Sequence, residues 1–499
     1  MDVSDIFIIG GGINGTAIAA DAAGRGLTVT LCEKNDLASG TSSASTKLIH
    51  GGLRYLELYD FKLVRHALRE REILLRKAPN LITPLEFVLP HEKHLRPAWI
   101  IQFGLFLYDH LVKRNLLPSS KLINLKTDPR GDALKSEFLK GFSYFDCYTD
   151  DSRLVILNAL TAKEHNATIV TRTEFVSAIR EDNHWRIKLN NIHNQQSYFC
   201  FSKTLINAAG PWINPVQNNI AHATHEPLDI KLVKGSHIVV PKLYEGDFAY
   251  ILQNQDNRIV FTIPFHQKFT LIGTTDVTFK NNPDHIDISL DEKNYLCTVS
   301  NRYFKKSISE HDIVWSYAGV RCLQDDNKSN ASNVTREHKL QLESENNLPY
   351  LTVIGGKLTT HRVLAEEALD ALKPYFPHMK PAWTAFAPFP GCDFEDRNFE
   401  LFFEKIKNQF NWLPHELARH YAVNYGTRAL LFLENCKSIS DLGELFTNVL
   451  YQKEIEYLIQ HEWAESADDI LWRRTKQGLF ISESNKIKLQ HWIDNYFSR

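Results

Sequence analysis

The chain opens with an apolar run, Ile6-Phe7-Ile8-Ile9, that passes straight into Gly10-Gly11-Gly12 and then into Thr16-Ala17-Ile18-Ala19-Ala20. Such a pattern predicts a buried strand, a tight turn and a helix packed back on that strand. A second strand, residues 27–32, follows Gly24-Arg25-Gly26 and ends on Glu33. Between residues 61 and 78, Val64, Ala67, Leu68, Leu74 and Ala78 recur near a 3.6 period among Arg and Glu, which predicts an amphipathic surface helix stopping before Pro79. Alternation at 169–171 and 176–178, and the apolar run 204–206 ending in Asn207-Ala208-Ala209-Gly210, predict strands that return beside the first. Short strands at 236–241, 249–252, 258–263 and 269–276 predict an antiparallel sheet inserted into this α/β unit. The chain comes back through 317–321 and through Leu351-Thr352-Val353-Ile354-Gly355-Gly356-Lys357. Past the turn-rich linker Phe386-Ala387-Pro388-Phe389-Pro390-Gly391 the periodicity is helical.

Residues 99–108 are the most apolar stretch, broken by Asp109-His110 and followed by Lys113-Arg114 and Leu116-Leu117. It falls short of the roughly 20 apolar residues of a spanning helix. It reads either as a buried helix or as a segment dipping into a membrane interface, with Leu105 and Phe106 toward lipid and Arg96, Lys113 and Arg114 near headgroups. A length of 499 residues calls for two or three lobes, and 43% hydrophobic against 23% charged residues excludes disorder. Lys+Arg 57 against Asp+Glu 59 leaves a net charge of −2, so nothing in the balance points to nucleic acid. Seven scattered cysteines without a C-x-x-C pair fit reduced thiols rather than disulfides or a metal site. Residues 1–5 lead directly into the first strand, so no signal or transit peptide is expected ahead of it, and the sequons at Asn330 and Asn333 read as accidental.

The chemistry begins at the first turn. Gly10, Gly12 and Gly15 stand in G-x-G-x-x-G spacing: the first for the sharp turn, the second for close approach to a pyrophosphate, the third for helix–strand packing. The N–H groups at the helix start, around Ile13 and Asn14, favour phosphate. Glu33, at the end of the second strand, fits a ribose-hydroxyl acceptor and disfavours a 2′-phosphate. The hydroxyl-rich loop after it carries Thr41, Ser42 and Ser45, followed by Lys47 and Leu48. The small residues Ala209 and Gly210 make a second contact strand, and this pairing favours FAD over NAD. Gly356, Leu358 and Thr359 offer a third group of backbone donors. With Val176 on its returning strand, these residues form the expected cofactor shell.

Thr46 to Tyr55, Lys234-Gly235-Ser236-His237, Ile272 to Asp276, Gly319-Val320-Arg321 and Gly355 to Thr360 together resemble the FAD-dependent glycerol-3-phosphate dehydrogenases, most closely the bacterial aerobic, respiratory type. Residues 467–478 resemble the family's carboxy-terminal helical signature, and the likeness covers essentially the whole chain. It implies oxidation of sn-glycerol 3-phosphate to dihydroxyacetone phosphate, with electrons passing through FAD to ubiquinone or menaquinone. It also implies a monotopic protein on the cytoplasmic face of the inner membrane and a homodimer. The fold implied is an FAD-binding Rossmann-like α/β domain of the two-dinucleotide-binding-domain type with an inserted antiparallel-sheet substrate lobe. Residues 1–388 then form the oxidoreductase region, with cofactor parts at about 1–80, 145–215 and 315–385 and the substrate lobe at about 80–145 and 216–314. Residues 389–499 form an all-helical domain.

A dianionic phosphate calls for paired arginine donors and a lysine point charge, which assigns Arg54, Arg321, Arg336 and Lys357 to the phosphate and hydroxyls. His50 is the candidate general base at the C2 hydroxyl, because an imidazole titrates near working pH; a buried Lys357 could serve instead. Tyr55 and His237 would orient the substrate. No metal is expected. Cys322 and His361 depart from the family pattern, which has proline and tyrosine there. An amine or amino-acid oxidase of the same broad fold is the alternative, and it would need a site matched to a carboxylate and an amine.

Overall fold

The computed structural model describes residues 3–53, 60–92, 96–113, 116–221, 228–256, 258–325 and 337–498. Its first sheet grows from the opening run. Val3–Ile9 lies parallel between Val29–Cys32 and Ser197–Asn207, with Thr168–Val170 and Leu348–Ile354 parallel outside them. Lys339–Glu345 and the hairpin of Thr173–Glu181 and His184–Asn191 are antiparallel additions. Alternate residues of the first strand serve opposite faces. Ile6 and Ile8 join the core of helices Ile13–Gly24, Asp151–Glu164 and His361–Leu372, whereas Phe7 and Ile9 pack against Phe175, Trp185 and Ile187 of the hairpin. Burial on both faces explains why the run is apolar without alternation.

The second sheet has ten strands, built on Ile230–Pro241. One side of that strand carries Phe269–Gly273, Ile259–Phe265, Phe248–Gln253, Thr83–Pro90, Lys140–Tyr148 and Leu48–Ile49 in succession. On its other side Trp315–Gln324 is paired from Ile230↔Gln324 to Val239↔Trp315. The boundary at 315 therefore differs from the expected one. Residues 315–324 belong to the second sheet, since every residue of the strand is held in its ladder. Leu48–Ile49, from the cofactor loop, is likewise an edge of that sheet.

The apolar segment forms the helix Ala98–His110. Leu105 is 1% exposed and packs with Val64, Phe87 and Phe142, while Trp99, Phe103 and Phe106 are 70%, 57% and 52% exposed. Leu105 is thus core rather than lipid-facing, a correction that follows from the side of the helix it occupies. Among the described residues no helix is long and apolar enough to cross a membrane.

The carboxy-terminal helices, among them Phe399–Gln409, His415–Tyr425, Gln452–Glu462 and Glu483–Phe497, share one hydrophobic core with the first sheet. Buried ions lock this junction. Arg474 donates to both oxygens of Asp36 at 2.8 Å, and Arg473 donates to the same carboxylate. Arg153 pairs with Glu462, and Lys476 Nζ reaches Ser152 and, at 3.1 Å, Asp150. Removing one partner of a buried pair leaves a stranded charge, which costs about 3–5 kcal/mol. Arg474→Met should lower unfolding free energy by that order in denaturant titration; an unchanged curve would show that the junction does not depend on Asp36.

Candidate active site

Gly10 takes φ +111°, and a Cβ there would stand 2.7 Å from the Ala208 carbonyl. A Cβ on Gly15 would stand 2.0 Å from the Gly10 carbonyl, so strand and helix touch through backbone, as the spacing predicts. The helix Ile13–Gly24 begins on Gly12, which has no side chain to cap it, and carries no carboxylate in its first turn, so its N–H end favours an anion. Glu33 accepts from the Gly11 N–H at 2.7 Å and the Asn35 N–H at 2.8 Å, which pins the acidic side chain beside the turn. Ser42 Oγ accepts from the Ile13 N–H at 3.0 Å. Asn14 Nδ2 donates to the Gly355 carbonyl at 2.9 Å, tying the first turn to the third glycine stretch, and Asn14 Oδ1 is buried without a partner.

These stretches enclose a cavity of about 890 Å³ lined from both sheets. The volume lies in the range of about 300–1,000 Å³ that small-molecule and cofactor sites occupy. Gly10, Gly12, Ile13, Asn14, Glu33, Thr41, Ser42, Ser45, Leu48, Ala209, Gly210, Gly356, Leu358 and Thr359 all line it, as do His50, Arg321 and Lys357. The glycine cradle, the spare Asn14 acceptor and the helix start fit a long, phosphate-bearing cofactor such as FAD.

Four of the expected residues stand elsewhere. Gly15 acts in packing, behind the wall. Lys47 is fully buried and turned away from the cavity: its Nζ donates to Asp151 at 2.8 Å and to the Ser43 carbonyl, and lies 5.0 Å from the Tyr317 ring centre. Val176 is the extra residue of a bulge between Phe175 and Ser177, and Phe175 is the one that lines the cavity. His237 lies behind Thr46 rather than in the wall. Arg54, Tyr55 and Arg336, together with the headgroup candidate Arg114, lie outside the described residues. Sequence reasoning missed Lys34, Trp212 and Asp284, which close over one end: Trp212 Nε1 donates to Asp284 at 2.8 Å, and Lys34 lies 3.9 Å from that carboxylate. It also missed Thr46, Phe261 and Thr274 in the wall.

Arg321 pairs with Asp276, and its guanidinium lies over Gly235, where a Cβ would be 3.0 Å from it. His50 is held by its backbone: its N–H donates to Thr359 Oγ1 at 3.2 Å and its carbonyl accepts from the same hydroxyl at 3.4 Å. Next to it the Gly51 N–H donates to Tyr108 Oη at 2.9 Å, Tyr108 donates to Asp146 at 2.8 Å, and Arg71 pairs with Asp146. Among the described residues no cluster could hold a metal.

Residues 5–383 match the family of FAD dependent oxidoreductases, and residues 382–492 match the C-terminal domain of alpha-glycerophosphate oxidase. The chain is an FAD-dependent oxidoreductase. A glycerol-3-phosphate dehydrogenase of Pseudomonas aeruginosa is 50% identical over 496 residues, covering 99% of this chain and 96% of the relative. A D-erythritol 1-phosphate dehydrogenase of Brucella abortus is 45% identical over 496 residues, covering 99% and 98%. The glycerol-3-phosphate dehydrogenase of Bacillus halodurans, solved with FAD, has the same fold, with a TM-score of 0.78 over 100% of this chain and 91% of that one at 24% identity. Within the oxidoreductases the chain belongs to the glycerol-3-phosphate dehydrogenase family.

His361 is buried at the end of the third stretch. Its Nδ1–H donates to the Leu358 carbonyl at 2.7 Å, and Asn158 Nδ2 donates to its Nε2 at 3.3 Å. Burial pushes its pKa down from 6.5 to about 4, against the pull of the Leu358 carbonyl. Below pH 6.5 only the unfolded chain takes up this proton, so the stability present above 6.5 is lost as pH falls toward 4, by up to about 1.4 kcal/mol per pH unit. His361→Asn should flatten the acid limb of unfolding free energy against pH; an unaltered slope would assign that limb to other groups.

Proposed function

We propose that this protein oxidises sn-glycerol 3-phosphate to dihydroxyacetone phosphate and passes the electrons to ubiquinone or menaquinone. The observation that carries the reading is the convergence of Arg321, Lys357 and His50 on the cavity that also fits the cofactor. FAD, when bound, supplies the acceptor at N5 for the hydride leaving C2. Arg321 offers a planar fork to phosphate or hydroxyl oxygens, and Lys357 a point charge. His50, anchored through Thr359, takes the C2 hydroxyl proton as the secondary alcohol becomes a ketone. Arg54, Arg336 and Tyr55 complete this substrate shell in the proposal. Cations in the wall do not suit the amine of an amino-acid oxidase substrate.

A four-carbon substrate, D-erythritol 1-phosphate, is the second reading, favoured by the 45% identical Brucella relative. Both substrates present a phosphate and an adjacent polyol. Anaerobic bleaching of the bound flavin decides: glycerol 3-phosphate should reduce it, with glycine and sarcosine inert, and faster reduction by erythritol 1-phosphate would reassign the substrate. His50→Asn should lower the reduction rate about 10²–10⁴-fold and remove an inflection from the pH–rate profile. An unchanged profile with His50→Asn but a lost one with Lys357→Met would make the lysine the base.

The reading places the protein on the cytoplasmic face of the inner membrane, as a monotopic homodimer. Trp99, Phe103 and Phe106 expose an apolar face beside the exposed cations Arg96 and Lys113, a composition suited to an anionic lipid interface. Phe103→Asp with Phe106→Asp should abolish co-sedimentation with anionic liposomes at full FAD content, whereas Leu105→Asp should cost folding. Retained liposome binding in the double variant would put the attachment elsewhere.

A further inference from the structure

Thr46 and His237 form a pair that the roles above leave unused. Thr46 lines the cavity together with Leu48 and His50, while the intervening Lys47 and Ile49 are fully buried. His237 lies behind it, 1% exposed, stacked on Tyr317 at 4.8 Å between ring centres. The ring edge covers Gly273, where a Cβ would come within 2.1 Å of it. Tyr317 Oη also donates to the Ser45 carbonyl at 2.8 Å, so one strand fixes both the imidazole and the backbone leading into Thr46. The pair meets in one hydrogen bond, Thr46 Oγ1 to His237 Nε2 at 2.9 Å, and His237 Nδ1 is buried with no partner.

That unpaired nitrogen decides where the proton sits. Burial, reinforced by Lys47 and Arg321, keeps the ring neutral, so one nitrogen carries hydrogen and the other a lone pair. An N–H on Nδ1 would be buried and stranded without an acceptor among the described residues. On Nε2 the hydrogen finds Thr46 Oγ1, so the imidazole donates and the hydroxyl accepts. The hydroxyl's own hydrogen is then not spent on His237, and among the described residues it has no other acceptor.

We propose that Thr46 is a hydrogen-bond donor to the molecules bound in the cavity, its proton turned inward by His237 as a positioning residue. The acceptor is an electron-rich atom of the flavin ring or an oxygen of the polyol phosphate. The inference rests on the reading of the site as one for FAD and a phosphorylated polyol.

The test uses the holoenzyme and the variants T46V, T46S, H237F, H237Q and T46V/H237F, each checked for FAD content and thermal midpoint. Flavin absorption and reduction potential are measured without substrate, and substrate dissociation constant and anaerobic reduction rate with glycerol 3-phosphate. If the acceptor is on the flavin, T46V shifts the spectrum and potential. If it is on the substrate, T46V leaves both unchanged and weakens binding or reduction about tenfold, the size of one lost hydrogen bond. In either case T46S restores the wild-type value, H237F moves the same observable, and the double variant goes no further than the larger single effect. H237Q, which keeps an N–H toward Thr46, stays near wild type. T46V indistinguishable from wild type in every measurement, failure of T46S to restore, or T46V and H237F effects that multiply would overturn the proposal. Should glycerol 3-phosphate fail to reduce even the wild-type flavin, the functional reading falls; T46V is then judged on spectrum and potential, where no shift overturns the Thr46 role.

Discussion

A dinucleotide reaches the N–H groups at the start of a helix only where strand, turn and helix run together without side chains between them. At this chain's first turn the backbone-to-backbone approaches leave no room for a methyl group on Gly10 or Gly15. Other parts of the molecule are placed by that contact. The Ala208 carbonyl closes on Gly10 from the neighbouring parallel strand, and Asn14, one residue before Gly15, holds the Gly355 carbonyl. Three stretches far apart in sequence are thereby brought to one line of backbone, and the cavity is the space they leave. A methyl group at either glycine would disturb the floor of the cavity as well as the packing of a helix.

Charge does the work that backbone contact cannot. The loops beyond the first turn have few apolar residues with which to pack, and the structure fixes them with buried ions. Asp36 takes Arg473 and Arg474, and the same loop returns to the turn through the Ala38 N–H, which donates to the Gly11 carbonyl at 3.1 Å. Asp151 takes Lys47 and the Ser45 hydroxyl, while Asp150 takes Lys476. Buried pairs bring little net stability against well-packed apolar alternatives, but breaking one is severe. They suit loops that must hold one geometry, and they make the carboxy-terminal helices part of the cofactor site's support.

What could be read from the sequence is what is encoded over short range. Glycine spacing, the acidic end of the second strand and the small residues at 208–210 each carry their reason within a few residues, and the structure brings them together. Lys47 did not declare itself, because a lysine in a hydroxyl-rich loop suits a phosphate equally well; its partner Asp151 lies 104 residues away. Leu105 and Phe106 could not be separated, since a helix apolar on nearly every side has no pattern to mark its buried face. Val176 lost its place to Phe175 through a bulge, a local shift in register that period-two alternation does not record. Lys34, Trp212 and Asp284 meet only once both sheets are in place.

Hydride transfer demands that cofactor and substrate be held relative to each other far more tightly than either must be held alone. One stretch, residues 41–50, bonds both to the first turn and to the second sheet. Thr41, Ser42, Ala44 and Ser45 line the cavity, and Thr41 Oγ1 donates to the Val320 carbonyl of the second sheet at 2.6 Å. Three residues after Ser45, Leu48–Ile49 becomes an edge strand of that same sheet, and His50 follows directly. His50, the hydroxyl-rich loop and the strand bearing Arg321 are therefore joined through a ten-residue segment with hydrogen bonds on both sides. Relative motion of the sheets would have to break those bonds first, so His50 is held in register with the strand that carries Arg321.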